Sequence, residues 1–453
     1  MRQLRFPAFV LMFFALLGWS ATPTAAQSIL RDAETEALLH DMATPLIEAA
    51  GLDPVNVDIV LVNDQSVNAF VAGGQAVYIN AGLINEADTA EEVQGVIAHE
   101  LGHVTGGHAV LNQGAKSASN ISILSLLLGA AAAAAGGGEA AMGVLMAGQQ
   151  AAMGKFLAYT RSQEASADAA GAKYLSEAGL SGRGSIEFFK KLQNMEYRYG
   201  YSQRSQDEFF STHPLTSDRI ATLQDTYQKD PAWNAKPDPT IQKRFVRMKA
   251  KLYGYLAEPR DVFRRYPLTD NSVPAHYARA YAYNRESKLD EARAETDALV
   301  AQDPEDPYFL ELQGQILLES GKPTEALAPL REATQLTANQ PLIATLFGHA
   351  LMATEDPANF KEAERVLRAA VVRDRENPFA WYQLGTIYAA NGDMPRARLA
   401  SAEQQVLSGR MQEALVSARA AEAGLATGSP DWLRAQDIEM QARAELEREK
   451  KRR

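Results

Sequence analysis

The sequence predicts a mainly α-helical protein in which an α+β domain with a small β-sheet is followed by an all-α solenoid. One observation is a short region, residues 55–84, where apolar residues alternate with polar ones or run together, as in strands. The other is a helical repeat of roughly 34 residues in the last third of the chain. We expect residues 27–240 to form the first domain and residues 241–453 the second.

The repeat is marked by alanines that recur at a nearly constant interval. Ala292, Ala326, Ala363 and Ala397 follow one another at 34, 37 and 34 residues, and the extra three residues fall in a turn. A small residue precedes each alanine, at a point where two paired helices would cross closely. Period and pattern are typical of the tetratricopeptide repeat (TPR), so an array of helix pairs is expected.

The composition is that of a globular protein without disulfides. Hydrophobic residues make up 46% of the chain and charged residues 22%, and there is no cysteine. Stability must therefore come from packing, from a metal, or from both. A formal net charge of -11 argues against nucleic acid as a partner and against a general affinity for anionic lipid.

The first 26 residues have the pattern of a secretory signal peptide. Arg2 and Arg5 precede an apolar segment, residues 6–18, that is too short to span a membrane. Small residues at 24–26 then favour cleavage near Gln27. We expect export to the bacterial periplasm, with an uncleaved membrane anchor as the alternative.

Strands and a hairpin are predicted after a first helix. The apolar spacing of residues 29–50 suits a helix, and Val55–Asp64 is expected to be a strand. Asn68–Ile84 has a turn signal at Gly73-Gly74 in its centre and therefore predicts two short antiparallel strands.

A helix is expected to begin after Thr89, because Glu92 three residues later completes a capping box. That helix carries the sequence HELGHVTGGH, residues 99–108. His99 and His103 lie about 40° apart on a helix, so both imidazoles can bind one ion, and Glu100 can reach a water beside it. The H-E-x-x-H pattern is typical of zinc hydrolases, with a chance match on a buried helix as the alternative.

His108 is not expected to bind the metal. It follows His103 by five residues, about 140° around the axis, and would face away if the helix continued. The metzincin pattern would require a third histidine at residue 109, which is Ala109. We therefore expect His108 at the surface or behind a metal ligand.

A later helix offers a third ligand. Glu164 and Asp168 are four residues apart and share one helical face. Zinc sites with two histidines and a glutamate would use Glu164, while Asp168 would hold a histidine N–H. Taken alone, two solvated acids on an outer face would be the simpler interpretation.

Four segments together give the chain a family resemblance. NAFVAGGQAVYINAGLI, GVIAHELGHVTGGH, TRSQEASADAAG and FFSTHPLTSDRI occur in the order found in zinc peptidases of the HtpX/CAAX-protease type. With a signal peptide before them and TPR units after them, the chain resembles the periplasmic BepA-like branch. The resemblance implies a zincin-type metalloprotease fold for the first domain and one Zn²⁺ per chain.

The resemblance also implies roles for particular residues. His99, His103 and Glu164 would be the metal ligands, Glu100 the catalytic base that takes a proton from the attacking water, and Asp168 the acid behind a ligand. The usual E-x-E-A-D core of the third segment reads E-A-S-A-D, so Ser166 replaces its middle acid.

Two further expectations, for His213 and for the substrate strand, come from the resemblance, and a third concerns Arg219. His213 would lie on a loop over the site and bind the zinc as a fourth ligand, which would make the protease latent. Arg219 is considered as an oxyanion stabiliser. A substrate would add as a β-strand beside Asn68, Ala69 and Phe70.

Residues 121–154 are rich in alanine, glycine, leucine and methionine. We expect a pair of buried helices joined by a hinge at residues 136–138, followed by a helix from about Met153 to Ala178. A mobile lid and a segment in peripheral contact with a membrane are the alternatives.

Two functions remain open from the sequence. The first is a periplasmic zinc endopeptidase with a TPR docking domain, and the second is a chaperone or scaffold with a silent metal site. The resemblance suggests unfolded or misassembled outer-membrane proteins as substrates and the barrel-assembly machinery as a partner of the TPR units.

Overall fold

The computed structural model describes residues 29–108, 124, 138–199, 213 and 217–452. The predicted signal peptide and most of residues 109–137 lie outside the described residues. Over the described residues the protein is mainly helical with one small sheet, as the sequence predicts.

The sheet has three strands, β1 (Asp58–Val62), β2 (Ala69–Ala72) and β3 (Ala76–Asn80), in the order β1-β3-β2. β2 and β3 form the expected antiparallel hairpin, and β1 pairs with β3 in parallel. Gly73 and Gly74 make the turn at φ values of 65° and 107°, which glycine adopts without strain. The predicted strand and hairpin are therefore confirmed.

The first helix begins later than its apolar pattern predicts. Asp32 caps it by accepting a hydrogen bond from the Thr35 N–H at 2.8 Å. The residues before it extend the sheet instead, since Ile29 forms a bridge with Val62 and Leu30 N–H donates to the Leu61 carbonyl. One edge of the sheet is thus covered, and β2 forms the other edge.

The helices of the first part are α1 (Ala33–Ala49), α2 (Ala81–Glu86), α3 (Ala90–Thr105), α4 (Gly138–Glu177), α5 (Arg183–Tyr199) and α6 (Ser217–Gln228), with single 3₁₀ turns at Pro54–Asn56 and Pro231–Asn234. Helix α3 is buried along nearly its whole length and packs against α1, α4, α5 and the sheet. It is the central element of the core.

Helix α4 differs from the prediction for residues 121–154. It starts at Gly138, inside the expected hinge, and continues unbroken beyond Met153. Met142 and Met146 are 61% and 65% exposed, so this part of the helix is not the buried element that its composition suggests. Among the described residues, no helix is long and apolar enough to cross a membrane.

The second part is an array of helix pairs. Its helices are α7 (Pro239–Leu256), α8 (Pro259–Arg265), α9 (Val273–Arg285), α10 (Leu289–Gln302), α11 (Pro307–Glu319), α12 (Pro323–Leu336), α13 (Pro341–Ala353), α14 (Pro357–Arg373), α15 (Pro378–Ala390), α16 (Met394–Leu407), α17 (Met411–Glu422) and α18 (Pro430–Arg452). Consecutive helices pack against each other throughout.

Small residues sit at the helix crossings, as the repeat pattern predicts. A Cβ at Gly314 would lie 2.3 Å from Leu330 Cγ, and one at Gly348 would lie 2.6 Å from Leu367 Cγ. An added Cβ at either position would therefore force the facing leucine side chain to shift. Gly385 is less constrained, because a Cβ there would meet Ala400 at an ordinary 3.5 Å.

Buried charges join the two parts. Glu34 of α1 is 2% exposed and accepts bonds from Arg247 at 2.5 Å and from the Tyr277 hydroxyl at 2.8 Å. Lys251 reaches Asp32 at 2.5 Å and Glu34 at 3.4 Å. Helix α7 thus holds the first helix of the chain against the solenoid.

The predicted boundary at residue 240 falls at the start of α7. Phe245, Met248 and Leu252 of that helix belong to the hydrophobic core of the first part. Ala33 of α1 packs in turn with Leu310 of the solenoid. The division into two domains stays a prediction, and the two parts share α1 and α7.

We predict that Glu34→Gln lowers the free energy of unfolding by about 3 kcal/mol, because it removes the negative charge between two buried cations. Denaturant unfolding of the chain measures the loss. Glu36→Gln, which removes a partly exposed partner of Arg31, should cost less than about 1 kcal/mol. Equal losses in the two variants would contradict the role of Glu34.

Candidate metal centre and active site

Helix α3 is held at its start by a modified capping box. The Thr89 hydroxyl accepts from the Glu92 N–H at 3.3 Å, as predicted. The Glu92 carboxylate accepts from the N–H of Asp88, one residue before the cap, and also from Lys191. The helix start is therefore pinned both to the preceding turn and to α5.

Two glycines allow α3 and α4 to approach closely. A Cβ at Gly102 would lie 2.6 Å from the Ala167 carbonyl oxygen, and one at Gly171 would lie 3.0 Å from the Ala98 carbonyl oxygen. Because the two backbones nearly touch, side chains from the two helices can meet at one point.

The predicted ligands meet at that point. One ligand atom from each of His99, His103, Glu164 and His213 can be chosen so that all four lie within 4.8 Å of one another, and all four residues are buried. The Nε2 atoms of His99 and His103 are 3.1 Å apart. Glu164 lies 3.5 Å from His99 Nε2 through Oε2 and 3.3 Å from His103 Nε2 through Oε1.

His213 completes the cluster from outside the H-E-x-x-H helix. Its side chain is 5% exposed, and its Nδ1 lies 3.1 Å from Glu164 Oε1 and 3.4 Å from His99 Nε2. Its Nε2 lies 3.6 Å from Glu100 Oε1. The side chain therefore touches both a predicted ligand set and the predicted base.

Glu100 is buried in the same place. It is 0% exposed, and neither carboxylate oxygen has a hydrogen-bond partner among the described residues. A buried carboxylate without a partner is costly unless a cation or a water balances it. This orphaned group fits a metal with its water, and the histidine and carboxylate donors beside it are those that zinc accepts.

Asp168 lies behind His99. Its Oδ1 is 2.9 Å from His99 Nδ1, although the ring N–H does not point along a good hydrogen-bond direction. The opposite ring nitrogen faces the cluster. The position is that of an acid which orients a metal-binding histidine.

Arg219 has contacts that differ from an oxyanion stabiliser. Its guanidinium donates to Asp168 at 2.5 and 2.8 Å and lies 2.8 Å from Glu164 Oε2. It packs over the ring of Phe189. These contacts favour a role in holding the two carboxylates, so its oxyanion role stays a prediction without support from the geometry.

The charges in the cluster shift one another's titration. Although burial opposes the charged ring, Asp168 and Glu164 raise the pKa of His99 to about 10. Burial also opposes the charged carboxylates, yet the neighbouring histidines hold the pKa of Glu164 well below its usual range. Arg219 and His99 do the same for the pKa of Asp168. The carboxylates are thus ready to bind a cation.

His108 lies elsewhere than helical geometry predicts. Helix α3 ends at Thr105, and Gly107 at a φ of 65° turns the chain back. His108 therefore packs on His103, with 2.8 Å between their Nδ1 atoms, while burial and His103 lower the pKa of His108. Of the two expected places, the surface and a position behind a metal ligand, the contact with His103 agrees with the second, and His103 as a ligand stays a prediction. The Gly-Gly pair before it was the available signal for a helix end.

The segment proposed to receive substrate lies in β2, an edge strand that pairs only with β3 in the part of the chain that the structure describes. β2 begins at Ala69 and packs against α3. Asn68 and Ala69 are buried, and the ring of Phe70 stacks on Tyr78 at 5.0 Å. The pairing of β1 with residues 29 and 30 leaves this edge for an added strand.

Comparison with known proteins bears on this geometry. The family model described as Peptidase family M48 matches residues 31–227, which include every residue of the cluster. Residues 31–227 form a domain of peptidase family M48. The tetratricopeptide repeat model matches residues 277–341 and 348–406. The chain is therefore a metallopeptidase with C-terminal TPR units.

Curated relatives match all or part of these two regions. The "Beta-barrel assembly-enhancing protease" of Yersinia pestis is 26% identical over 385 residues, 83% of this chain and 76% of that protein. The protein of the same name from Escherichia coli strain K12 is 26% identical over 381 residues, 82% and 75% of the two chains. The metalloprotease LoiP of the same strain is 30% identical over 180 residues, 39% of this chain and 64% of that protein.

We predict that Asp168→Asn lowers metal affinity about 10- to 100-fold, because the neutral amide orients His99 less strongly and lowers its basicity. Competition with a coloured chelator measures the affinity of the purified chain for Zn²⁺. Asp225→Asn, an exposed acid on α6, is the control and should leave the affinity unchanged. A loss of the same size in both variants would contradict the prediction.

Proposed function

We propose that the chain is a zinc endopeptidase that is held inactive at rest and acts on misfolded or misassembled outer-membrane proteins. The observation that carries the proposal is the buried cluster of two histidines, one glutamate and one further histidine beside Glu100, whose oxygens accept no hydrogen bond among the described residues. The site thus combines a base and metal ligands that can support hydrolysis with a further histidine, His213, that can block it.

Zinc is proposed as the metal because of its ligands. His99, His103 and Glu164 form a nitrogen and carboxylate set with three protein ligands, which is typical of catalytic zinc sites. Cysteine ligands are absent from the sequence altogether. When bound, the metal supplies Lewis acidity toward the scissile carbonyl and the attacking water.

Glu100 is the proposed general base. It follows the ligand His99 directly in α3, is shielded from solvent, and has no hydrogen bond that would occupy its oxygens among the described residues. Its carboxylate takes a proton from the attacking water and delivers it to the leaving amine. Arg219 and Asp168 hold the surrounding carboxylate and imidazole in place.

His213 is the proposed latch. Its Nδ1 is as close to Glu164 as the two H-E-x-x-H histidines are, so it can serve as a fourth ligand. A zinc with four protein ligands has the coordination of a structural site and no room for water. The protease would work only after His213 leaves.

The open edge of β2 supports an extended substrate. Strand addition satisfies backbone hydrogen bonds of any sequence, so it suits an enzyme that accepts unfolded segments. The edge lies beside α3, which carries Glu100. Asn68, Ala69 and Phe70 are the proposed backbone partners.

The biological role is proposed from the curated relatives. Their name links them to β-barrel assembly, and the match covers most of both chains. We extend this to the present chain as a periplasmic protein, exported by residues 1–26, whose TPR units contact the barrel-assembly machinery. Peripheral membrane contact through residues 121–154 stays part of the proposal.

A second candidate function is a chaperone or scaffold with a silent metal site. The presence of His213 within the cluster favours it, since a permanently closed site would have no protease activity. Intact Glu100 favours the enzyme. The two functions differ in whether opening the latch produces hydrolysis.

We predict that Glu100→Gln lowers hydrolysis of an unfolded protein at least about 100-fold, since the amide cannot accept the proton. The assay uses the zinc-loaded mature chain and an unfolded outer-membrane protein. Glu91→Gln on the same helix is the matched control and should keep wild-type activity. Equal activity in wild type and Glu100→Gln would remove the protease proposal.

We predict that His213→Ala raises activity several-fold, because the fourth position becomes free for water. His40→Ala, which removes an exposed histidine of α1, is the control. Zinc content is measured beside the rate, so that loss of metal is not mistaken for loss of the latch. A zinc-loaded His213→Ala chain with unchanged activity would contradict the latch and favour the scaffold.

A further inference from the structure

We propose that His108 is a positioning residue that fixes the ring of His103 for metal binding, through a chain of hydrogen bonds ending at Ser166. The proposal rests on the proposed function in one respect, that His103 is a metal ligand. It assigns a function to the last histidine of HELGHVTGGH, which the H-E-x-x-H pattern leaves without one.

The turn after α3 determines where His108 lies. Gly107 N–H donates to the Val104 carbonyl at 3.0 Å, and His108 N–H donates to the His103 carbonyl at 3.1 Å. With Gly107 in the left-handed region, this is a Schellman ending. It returns the chain toward the helix, so the His108 ring meets the His103 ring at 4.9 Å between centroids.

The two nitrogens of His103 face different partners. Nε2 faces the cluster, 3.3 Å from Glu164 Oε1, while Nδ1 lies 2.8 Å from His108 Nδ1. A neutral imidazole that binds metal through Nε2 carries its proton on Nδ1. The short Nδ1 to Nδ1 contact then requires His103 to donate and His108 to accept.

The remaining protons follow from this assignment. If His108 accepts at Nδ1, its proton is on Nε2, which lies 3.3 Å from the Ser166 hydroxyl. The Ser166 hydroxyl in turn donates to the Gln163 carbonyl at 2.8 Å, so its oxygen is free to accept. His108 and Ser166 thus each donate one hydrogen bond and accept one, and the chain runs from His103 Nδ1 to the Gln163 carbonyl of α4.

The His108 ring has space beside the helix end because residue 106 is glycine and has no side chain. A Cβ at Gly106 would lie 2.5 Å from His108 Nε2 and 2.8 Å from its Cε1. The ring can therefore occupy this place only if residue 106 is glycine. Gly106 and Gly107 have separate roles, since one makes room for the ring and the other makes the turn.

The same contacts argue against His108 as a ligand of the same ion. Its Nδ1 is turned to the nitrogen of His103 that faces away from the cluster, and its Nε2 is turned to Ser166. Outer partners of metal-binding histidines fix tautomer and ring direction, and their loss typically weakens metal binding 10- to 100-fold. A similar loss is expected for His108.

The experiment measures Zn²⁺ affinity of the full mature chain by chelator competition. His108→Ala should weaken binding about 10- to 100-fold, because His103 loses its acceptor. His108→Asn should recover most of the affinity, since its amide oxygen can accept near the position of Nδ1. Gly106→Ala keeps the imidazole but places a methyl group where the ring lies, so it should weaken Zn²⁺ binding as much as His108→Ala does. His40→Ala should leave the affinity unchanged.

A second measurement tests the tautomer directly. In zinc-loaded wild-type protein, ¹⁵N NMR should show the His103 proton on Nδ1 and the His108 proton on Nε2. Melting of the metal-free variants should match wild type, which separates positioning from a general loss of structure.

The outcomes separate the proposals. Absence of zinc binding in wild type would overturn both the proposed function and the role of His108. Normal zinc binding with unchanged affinity in His108→Ala, or with His108→Asn as weak as His108→Ala, would overturn the role of His108 alone. Two zinc ions per wild-type chain, one of them lost in His108→Ala, would make His108 a ligand and overturn the positioning role.

Discussion

The close approach of α3 and α4 is the constraint on which the metal centre depends. Gly102 and Gly171 each lie against the backbone of the facing helix, where a Cβ would come within about 3 Å of a carbonyl oxygen. At this separation the carboxylate of Glu164 reaches the imidazoles of His99 and His103 together. The glycine in HELGH is therefore as necessary to the site as the histidines, for a reason of packing and not of chemistry.

Once the helices are this close, the site becomes an arrangement of buried charges that must balance. Glu164 and Asp168 carry negative charge into the core, and Arg219 and the histidines offset it. Arg219 and the histidines therefore contact the same carboxylates that the proposed metal site needs. These contacts stabilise the core and hold the site at the same time. The same principle holds where the solenoid meets the peptidase domain, since Glu34 is buried between Arg247 and Lys251. The two parts of the chain are thus held in one arrangement by ionic contacts as well as by apolar packing.

Much of the fold could be predicted because its signals are local. Hairpin, capped helix and 34-residue repeat each depend on residues within one or two turns, and all are found. The burial of residues 138–152 was harder to predict, because their apolar composition suggested a buried helix, whereas the side chains of Met142 and Met146 are exposed. The angle argument for His108 assumed that the helix continues, whereas α3 ends three residues before it. Arg219 was considered as an oxyanion stabiliser from its residue type, whereas its contacts are set by the packing of α6 on α4 and α5.

The sequence by itself determined which residues are competent for metal chemistry, because helical spacing places His99, Glu100 and His103 on neighbouring faces of one turn. It also determined the repeat of the solenoid and the turn chemistry of the sheet. Only the tertiary structure decided that Glu164 and His213 join those histidines, that β2 is the open edge, and that His108 turns back onto His103. The joining of Glu164 and His213 to the histidines depends on long-range packing, in which residues 49 to 114 positions apart come within 4 Å, and no local pattern specifies such a distance. The return of His108 is local, but it depends on where the helix ends.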